Sequence, residues 1–182
     1  LATIGNDTLA ATSGVAVSAG ATLALGGRET INSLSNAGTI QLGGTLTTGG
    51  DNASYSLGGT IVGGGSLIKA GTGILTLAQA TSYFGTTQIQ GGTLRVLSDN
   101  ASSAFVIASG ATLELNQTNA GYISPSDTTF TGAGTLMKTG AGQAKWGVAS
   151  ATFALSSGSL IHVADGSFVG GSAANENWSA NH

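Results

Sequence analysis

The sequence contains no cysteine and only one proline, and charged residues make up 7% of its 182 positions. Without cysteine the chain has no disulfide framework and no thiolate metal site. Soluble domains usually carry about 25% charged residues. A chain so poor in charge must stay soluble through hydroxyl and amide groups, and it must take its stability from hydrogen-bond ladders and packing.

Basic residues are also scarce. The five lysines and arginines are scattered along the sequence: Arg28, Lys69, Arg95, Lys138 and Lys145. Nucleic-acid binding needs clustered cations that replace the counterions of the phosphates. With a net charge of −3 and no such cluster, nucleic acid is excluded as a partner. The sequence also has no apolar run that approaches the length of a membrane-spanning helix, which is about 20 residues.

Glycine, by contrast, is abundant, with 31 residues, and it opens a recurring motif. In this motif a glycine is followed by a small or hydroxyl residue and then by alternating apolar residues. Four copies are Gly73–Leu77, Gly92–Val96, Gly110–Leu115 and Gly134–Lys138. Their first apolar positions, Leu75, Leu94, Leu113 and Leu136, are 19, 19 and 23 residues apart. A recurrence of this length indicates a solenoid whose repeats bury their cores by stacking.

Two longer duplications support true repetition. Residues 63–73 are matched 69 positions later by residues 132–142, and residues 17–25 are matched 90 positions later by residues 107–115. With turns of about 20 residues, these offsets are near multiples of one turn. We expect unequal insertions to account for the remainder.

Nearly every segment reads as a short strand bounded by glycine or by Asn, Ser or Asp. The predicted strands are 15–17, 22–25, 39–42, 60–62, 66–69, 74–77, 87–90, 93–97, 105–108, 112–115, 135–138, 144–148, 152–155, 159–163 and 167–169. No segment has the period and caps of a substantial helix. The prediction is an all-β solenoid of roughly nine rungs, each with three short strands paired in parallel at about 4.8 Å.

Residues 63–96 carry the most specific pattern. A G-x-L-x-K-x-G-x-G-x-L-x-L half is followed by Y-x-G-x-T-x-I and a closing G-G-x-L. The fitting positions are Lys69, Gly71, Gly73, Leu75, Leu77, Tyr83, Gly85, Thr87, Ile89, Gly92 and Leu94. This stretch resembles the passenger-associated repeat of bacterial autotransporters. The first half recurs at 132–146, where Ala144 and Trp146 replace the second pair of leucines.

The resemblance implies a right-handed parallel β-helix that is secreted from a Gram-negative bacterium or displayed on its surface. It also implies a partner within the same protein, a C-terminal outer-membrane barrel that lies outside these residues. The chain is then expected to be one passenger fragment over 1–182.

Catalytic and metal sites are not expected. His162 and Asp165 lie near serines, but no G-x-S-x-G elbow accompanies them, and His162 alternates with apolar neighbours on a predicted strand, so it should face solvent. The eight acids are dispersed, although Asp7, Glu29 and Asp51 are each about one rung apart, and glycosidases need two facing carboxylates. We therefore predict no catalytic residue, no metal ligand and no cofactor.

Binding residues are expected between the repeats, because loops on a rigid scaffold often carry recognition. The segment Asn116–Phe130 lengthens one rung, and the segment Leu25–Thr39 has similar content. Trp146 replaces a core leucine and should be buried, whereas Trp178 is a candidate exposed anchor. The candidate partner-binding residues are Arg28, Glu29, Tyr122, Pro125 and Trp178.

The preferred interpretation is a non-enzymatic passenger segment, an adhesin or virulence effector that binds a host-cell surface or matrix protein. One alternative is a structural stem that displays and helps to export an N-terminal functional domain. A second alternative is a carbohydrate-active β-helix enzyme. The strand edges at the two ends of an excised solenoid also predict end-to-end self-association.

Overall fold

The computed structural model describes residues 4–118, 121–122, 128–145, 151–169 and 177–178, of which only the backbone is described at 121–122 and 177–178. Within these residues every regular element is a β-strand, and none forms a helix long and apolar enough to cross a membrane. The strands are β1 (Gly14–Val17), β2 (Thr22–Leu25), β3 (Glu29–Thr30), β4 (Ser33–Asn36), β5 (Thr39–Leu42), β6 (Thr45–Thr48), β7 (Tyr55–Leu57), β8 (Thr60–Gly63), β9 (Ser66–Lys69), β10 (Ile74–Leu77), β11 (Ser82–Tyr83), β12 (Thr86–Ile89), β13 (Thr93–Val96), β14 (Ala104–Ile107), β15 (Thr112–Asn116), β16 (Gly121–Tyr122), β17 (Thr129–Gly132), β18 (Thr135–Thr139), β19 (Gln143–Lys145), β20 (Thr152–Leu155), β21 (Leu160–Val163), β22 (Ser167–Val169) and β23 (Asn177–Trp178).

The strands stack in parallel on three faces of a solenoid. The first face contains β1 and β4, followed by the six-stranded sheet that runs from β7 to β21. The second face contains β2, β5, β8 and β11, and further along β16, β19 and β22. The third face is one sheet of eight strands from β3 to β23. The predicted all-β parallel solenoid is therefore confirmed.

The number of turns is smaller than predicted. Eight strands on the third face correspond to about seven turns of chain from the first strand to the last, not nine rungs. The register joins Leu75 to Leu94 and Leu94 to Leu113, but later it joins Leu113 to Leu136 and Leu136 to Ile161. The later turns are longer because their extra residues lie between strands and add no rung.

The four copies of the glycine-led motif at residues 73–77, 92–96, 110–115 and 134–138 all lie on the first face, as their spacing predicts. Leu75, Leu94, Leu113 and Leu136 lie in one inward column and are each buried. Every strand predicted from the sequence is present, and each described boundary agrees within one residue. Residues 146–150, which include Trp146 and most of the predicted strand 144–148, lie outside the described residues.

The expectation about the longer duplications was wrong. Ser66–Lys69 belongs to the third face, whereas its copy, Thr135–Lys138, belongs to the first face. Likewise, Thr22–Leu25 belongs to the second face and Thr112–Leu115 to the first. The offsets are therefore not whole turns with insertions. Corners between different pairs of faces need similar tight turns, so the same glycine-led motif occurs at more than one kind of corner.

The core is a set of inward columns that run along the solenoid axis. On the third face one column holds Leu46, Leu67, Thr87, Phe105, Phe130 and Phe153 in register. The rings of Phe105 and Phe130 stack with centroids 5.4 Å apart, and those of Phe130 and Phe153 with centroids 5.0 Å apart. Stacked identical side chains of this kind fix the register of neighbouring rungs.

Candidate interaction surface

The structure separates the two candidate residues that are adjacent in sequence. Arg28 is exposed and forms an ion pair with Asp7, with 2.7 Å between its Nη2 atom and the carboxylate. Glu29 is fully buried, and its two carboxylate oxygens accept hydrogen bonds from the backbone N–H groups of Thr8 at 2.6 Å and Leu9 at 3.1 Å. Glu29 therefore anchors the preceding turn of chain, while Arg28 is available at the surface.

The other candidates lie at the edge of the described structure. Tyr122 is in β16, in register with Lys145 of β19. Trp178 is in β23, in register with Phe153, the last of the stacked rings on the third face. Pro125 lies outside the described residues. Phe130 and Thr128 are buried, so neither residue of the segment Asn116–Phe130 is available to a partner.

The lysine of the recurring motif is a buried corner residue. Lys69 is 1% exposed, and its Nζ donates hydrogen bonds to the carbonyl oxygens of Ala70 at 2.6 Å, Gly71 at 2.9 Å and Gly91 at 3.2 Å. Burial lowers the pKa of Lys69, and the charge of Asp51 acts in the opposite direction. Its carbonyl partners belong to two successive turns, so the ammonium group ties one corner to the next.

Lys138 repeats this arrangement at another corner. It is fully buried, and its Nζ donates to the carbonyl oxygens of Thr139 at 2.5 Å, Gly140 at 2.6 Å and Asp165 at 3.4 Å. Burial again lowers the lysine pKa, opposed by the charge of Asp165. Two of the five basic residues of the chain are thus structural and unavailable to a partner.

The tyrosine and threonine of the motif also form an internal network. The hydroxyl groups of Tyr83 and Thr87 are 2.7 Å apart, and Thr87 Oγ1 donates to Ser102 Oγ at 2.8 Å. Ser102 Oγ in turn donates to the carbonyl oxygen of Gly85. All three side chains are buried, and burial raises the pKa of Tyr83 despite hydrogen bonds with Asn100 and Thr87 that lower it. Tyr83 therefore stays protonated and acts as a packing residue.

The sequence analysis missed a charged cluster on the outer side of the first face. Arg95 Nε donates to Glu114 Oε2 at 2.8 Å, and Glu114 Oε1 accepts from Thr139 Oγ1 at 2.7 Å and from Asn116 Nδ2 at 3.3 Å. Burial alone would raise the pKa of Glu114, but these hydrogen bonds and the positive charge of Arg95 hold it below its ordinary value of 4.5. Arg95 and Glu114 are 19 residues apart and in register, which is the length of one turn, so this spacing could have predicted the contact from the sequence.

The described acids have separate partners rather than a shared one. Asp7 pairs with Arg28, Glu29 accepts backbone amides, and the Asp51 carboxylate accepts a hydrogen bond from the Tyr55 hydroxyl. His162 is exposed on β21, as predicted. Among the described residues no group of three or more His, Cys, Asp or Glu side chains could hold a metal ion. The described surface can contact a partner through Arg28 and the Arg95 cluster.

Comparison with known proteins gives two matches. Residues 67–96 match the model of the passenger-associated-transport-repeat family. The chain is also similar to the "Adhesin BmaC autotransporter" of Brucella suis biovar 1 (strain 1330), with 35% identity over 125 residues. That alignment covers 58% of this chain and 4% of the relative, so the chain corresponds to a small part of such a protein. No solved structure matches the chain significantly.

Proposed function

Because this chain is a β-solenoid segment of an autotransporter passenger, secreted from or displayed on a Gram-negative bacterium, we propose that it is an adhesive segment that binds a host-cell surface or matrix protein. In this role the buried columns and corner lysines supply a rigid rod, and the surface residues between the repeats supply the contacts. The role is non-enzymatic.

The observation that carries this proposal is the similarity to an autotransporter named as an adhesin. The distribution of side chains supports it, because the described acids that would be needed for glycoside hydrolysis are engaged by separate partners within the fold. Retaining and inverting glycosidases need two carboxylates that face each other across the substrate. A rigid elongated surface, in contrast, is suited to binding.

The proposal is tested with the purified 182-residue chain on cultured host cells. We expect binding that weakens severalfold when residues 123–127, which lie between β16 and β17, are replaced by a Gly-Ser segment of equal length and when Arg28→Glu is introduced. The replacement stops before Thr128 because Thr128 and Phe130 are buried. The matched control is the double variant Gln41→Glu with Ser56→Glu, on the exposed sides of β5 and β7, which lowers the net charge by two units, as Arg28→Glu does, and should leave binding unchanged.

The structural stem is a second candidate. It is favoured by the fact that the motif residues Lys69, Tyr83 and Thr87 all act inside the solenoid, so the recognisable pattern encodes architecture. A stem predicts that the isolated chain binds no host cell or matrix protein. Equal, non-saturable binding by the unaltered chain and both variants would support the stem and overturn the adhesive proposal.

A further inference from the structure

The corner between β21 and β22 holds the only Asp-Gly pair of the sequence, which has no Asn-Gly pair. Both residues of the pair, Asp165 and Gly166, are exposed. The main-chain nitrogen of Gly166 donates a hydrogen bond to Oδ1 of Asp165 at 2.8 Å, so it lies next to the carboxyl carbon that carries this oxygen. Groups held this close within one molecule react far faster than the same groups in free solution.

The packing of this corner requires glycine at position 166. Its φ is 71°, and a Cβ atom there would lie 2.2 Å from the carbonyl oxygen of Gly142 and 2.5 Å from that of Gly140. A residue without a Cβ atom also leaves its nitrogen open to the preceding carboxyl group, whereas a side chain would shield it. The fold therefore selects, for its own steric reasons, the neighbour that leaves Asp165 most reactive.

The two sides of the pair have different surroundings. The carboxyl group of Asp165 is on the solvent side and has room to turn toward the nitrogen. The main-chain carbonyl oxygen of Asp165 accepts a hydrogen bond from Nζ of the buried Lys138 at 3.4 Å. The adjacent main chain is held by hydrogen bonds from the N–H of Ala164 to Lys138 at 2.9 Å and from the N–H of Ser167 to Gly142 at 3.3 Å.

We propose that Asp165 is a modification site at which the chain slowly converts this residue to isoaspartate. The nitrogen of Gly166 bonds to the carboxyl carbon of the protonated Asp165 side chain. The N–H hydrogen and the carboxyl hydroxyl group leave as one water molecule, and a succinimide ring remains. A water molecule then opens the ring at one of its two carbonyl carbons. The overall change is an isomerisation that needs no reactant other than water.

Lys138 directs the opening of the ring. When water attacks the former main-chain carbon, negative charge develops on the oxygen to which the Lys138 ammonium group donates. A donor placed where charge develops lowers the barrier of that step. Attack at this carbon gives isoaspartate, and the oxygen beside Lys138 then belongs to a carboxylate, which is a stronger acceptor for an ammonium group than a carbonyl. Attack at the other carbon restores aspartate.

Isomerisation changes the length of the corner. The main chain of isoaspartate runs through the side-chain carbons and contains one more carbon atom than that of aspartate. The next strand, β22, begins at Ser167, which is in register with Gln143 of β19. The longer corner therefore weakens the pairing of β22 with β19, and we expect faster amide hydrogen exchange in Ser167–Val169 of the modified chain.

Storage of the folded 182-residue chain for several weeks at physiological temperature and neutral pH tests the site. Peptide mapping separates isoaspartate from aspartate, and mass spectrometry recognises the succinimide by the loss of one water. We expect severalfold more isoaspartate at position 165 than at Asp51 and Asp99, which are both followed by asparagine and serve as controls in the same chain. Asp165→Glu, which would have to form a six-membered ring, should give none at this position. Equal levels at all three aspartates would overturn the proposal.

The direction given by Lys138 is tested by the proportion of the two products. Chain collected as the succinimide at mildly acidic pH is returned to neutral pH, and isoaspartate and aspartate are counted. We expect a higher proportion of isoaspartate from the folded chain than from the chain in urea. Lys138→Met should lower the proportion to the unfolded value, and Lys138→Arg should restore it. A merely structural role of Lys138 would leave the proportion unchanged, and that result would refute the directing role.

A comparison of rates does not depend on any variant. If isoaspartate forms at position 165 in urea but not in the folded chain, the fold protects the pair and the proposal is wrong. Formation in the folded chain supports it even where Lys138→Met does not fold, because the unaltered chain supplies both measurements. The reaction needs no partner, so its outcome is independent of the adhesive role.

Discussion

At the scale of single residues, the buried lysines explain why a chain so poor in charge keeps a lysine in its most specific motif. Lys69 and Lys138 each place an ammonium group among three carbonyl oxygens of successive turns. Most of these carbonyl oxygens lie at corners outside the strands, and a buried carbonyl without a donor is costly. A long side chain with three N–H donors satisfies several of them at once.

Replacing Lys69 by methionine tests this role. Lys69→Met keeps the length of the stem but leaves three carbonyl oxygens without this donor, and relief of the burial of a charge offsets only part of the loss. We expect the free energy of unfolding to fall by about 1–3 kcal/mol in urea denaturation. Gln41→Met, on the exposed side of β5, is the control and should change it by less than about 0.5 kcal/mol. A Lys69→Met chain as stable as the control would refute the role.

Glu114 gives a prediction about pH. Its pKa in the folded chain lies below its ordinary value of 4.5, so the unfolded chain binds the proton more readily. The stability that the ionised carboxylate provides is complete above pH 4.5 and is lost as the pH falls through the lower, folded value. The difference in unfolding free energy between the unaltered chain and Glu114→Gln should therefore be constant above pH 4.5 and shrink below it. A difference independent of pH down to about 2.5 would count against the ion-paired cluster.

At the scale of strands and corners, glycines at adjacent positions have different roles. A Cβ atom on Gly65 would lie 2.0 Å from the carbonyl oxygen of Gly44 in the preceding turn, whereas one on Gly64 meets nothing within 4 Å. Gly63 has a φ of 114°. Gly63 thus supplies an unusual backbone conformation and Gly65 a close approach between turns.

This contrast predicts opposite effects of the same substitution. Gly65→Ala should lower the free energy of unfolding by more than about 1 kcal/mol, because the added methyl group pushes two stacked turns apart. Gly64→Ala has room and should leave stability unchanged or raise it by about 0.4–1 kcal/mol through a less flexible unfolded chain. Thermal and urea unfolding of the two variants measure these changes in stability. Equal destabilisation by both would show that the corner does not have this packing.

Some of the strands could be predicted from the sequence and others could not. Strands with alternating leucine, isoleucine or valine were predicted closely, since that pattern alone fixes a half-buried strand. Strands such as Ser33–Asn36, Thr45–Thr48 and Ser82–Tyr83 were missed. Each has few apolar residues and is paired with a strand of a neighbouring turn, as β-propensity depends on packing context. Local pattern also could not show that copies of one motif lie on different faces.

At the scale of the whole molecule, the fold was predictable and the surface was not. The repeat period gives parallel stacking, because successive turns must bury each other's apolar columns. Contacts such as Glu29 with the amide of Thr8, or Arg95 with Glu114, depend on register across turns. Which residues face each other in successive turns depends on the length of every corner, and these lengths could not be predicted from the sequence. Glu29 and Arg28 are neighbours in sequence, yet one is inside the rod and the other is outside.

In the proposed function this chain itself, and not only a domain beyond it, adheres to host surfaces. The most direct measurement is a binding isotherm of the fluorescently labelled chain on cultured host cells, with the unlabelled chain as competitor. The adhesive account predicts saturation and full displacement by the unlabelled chain. A signal that rises linearly with concentration, or that the competitor does not displace, would contradict it.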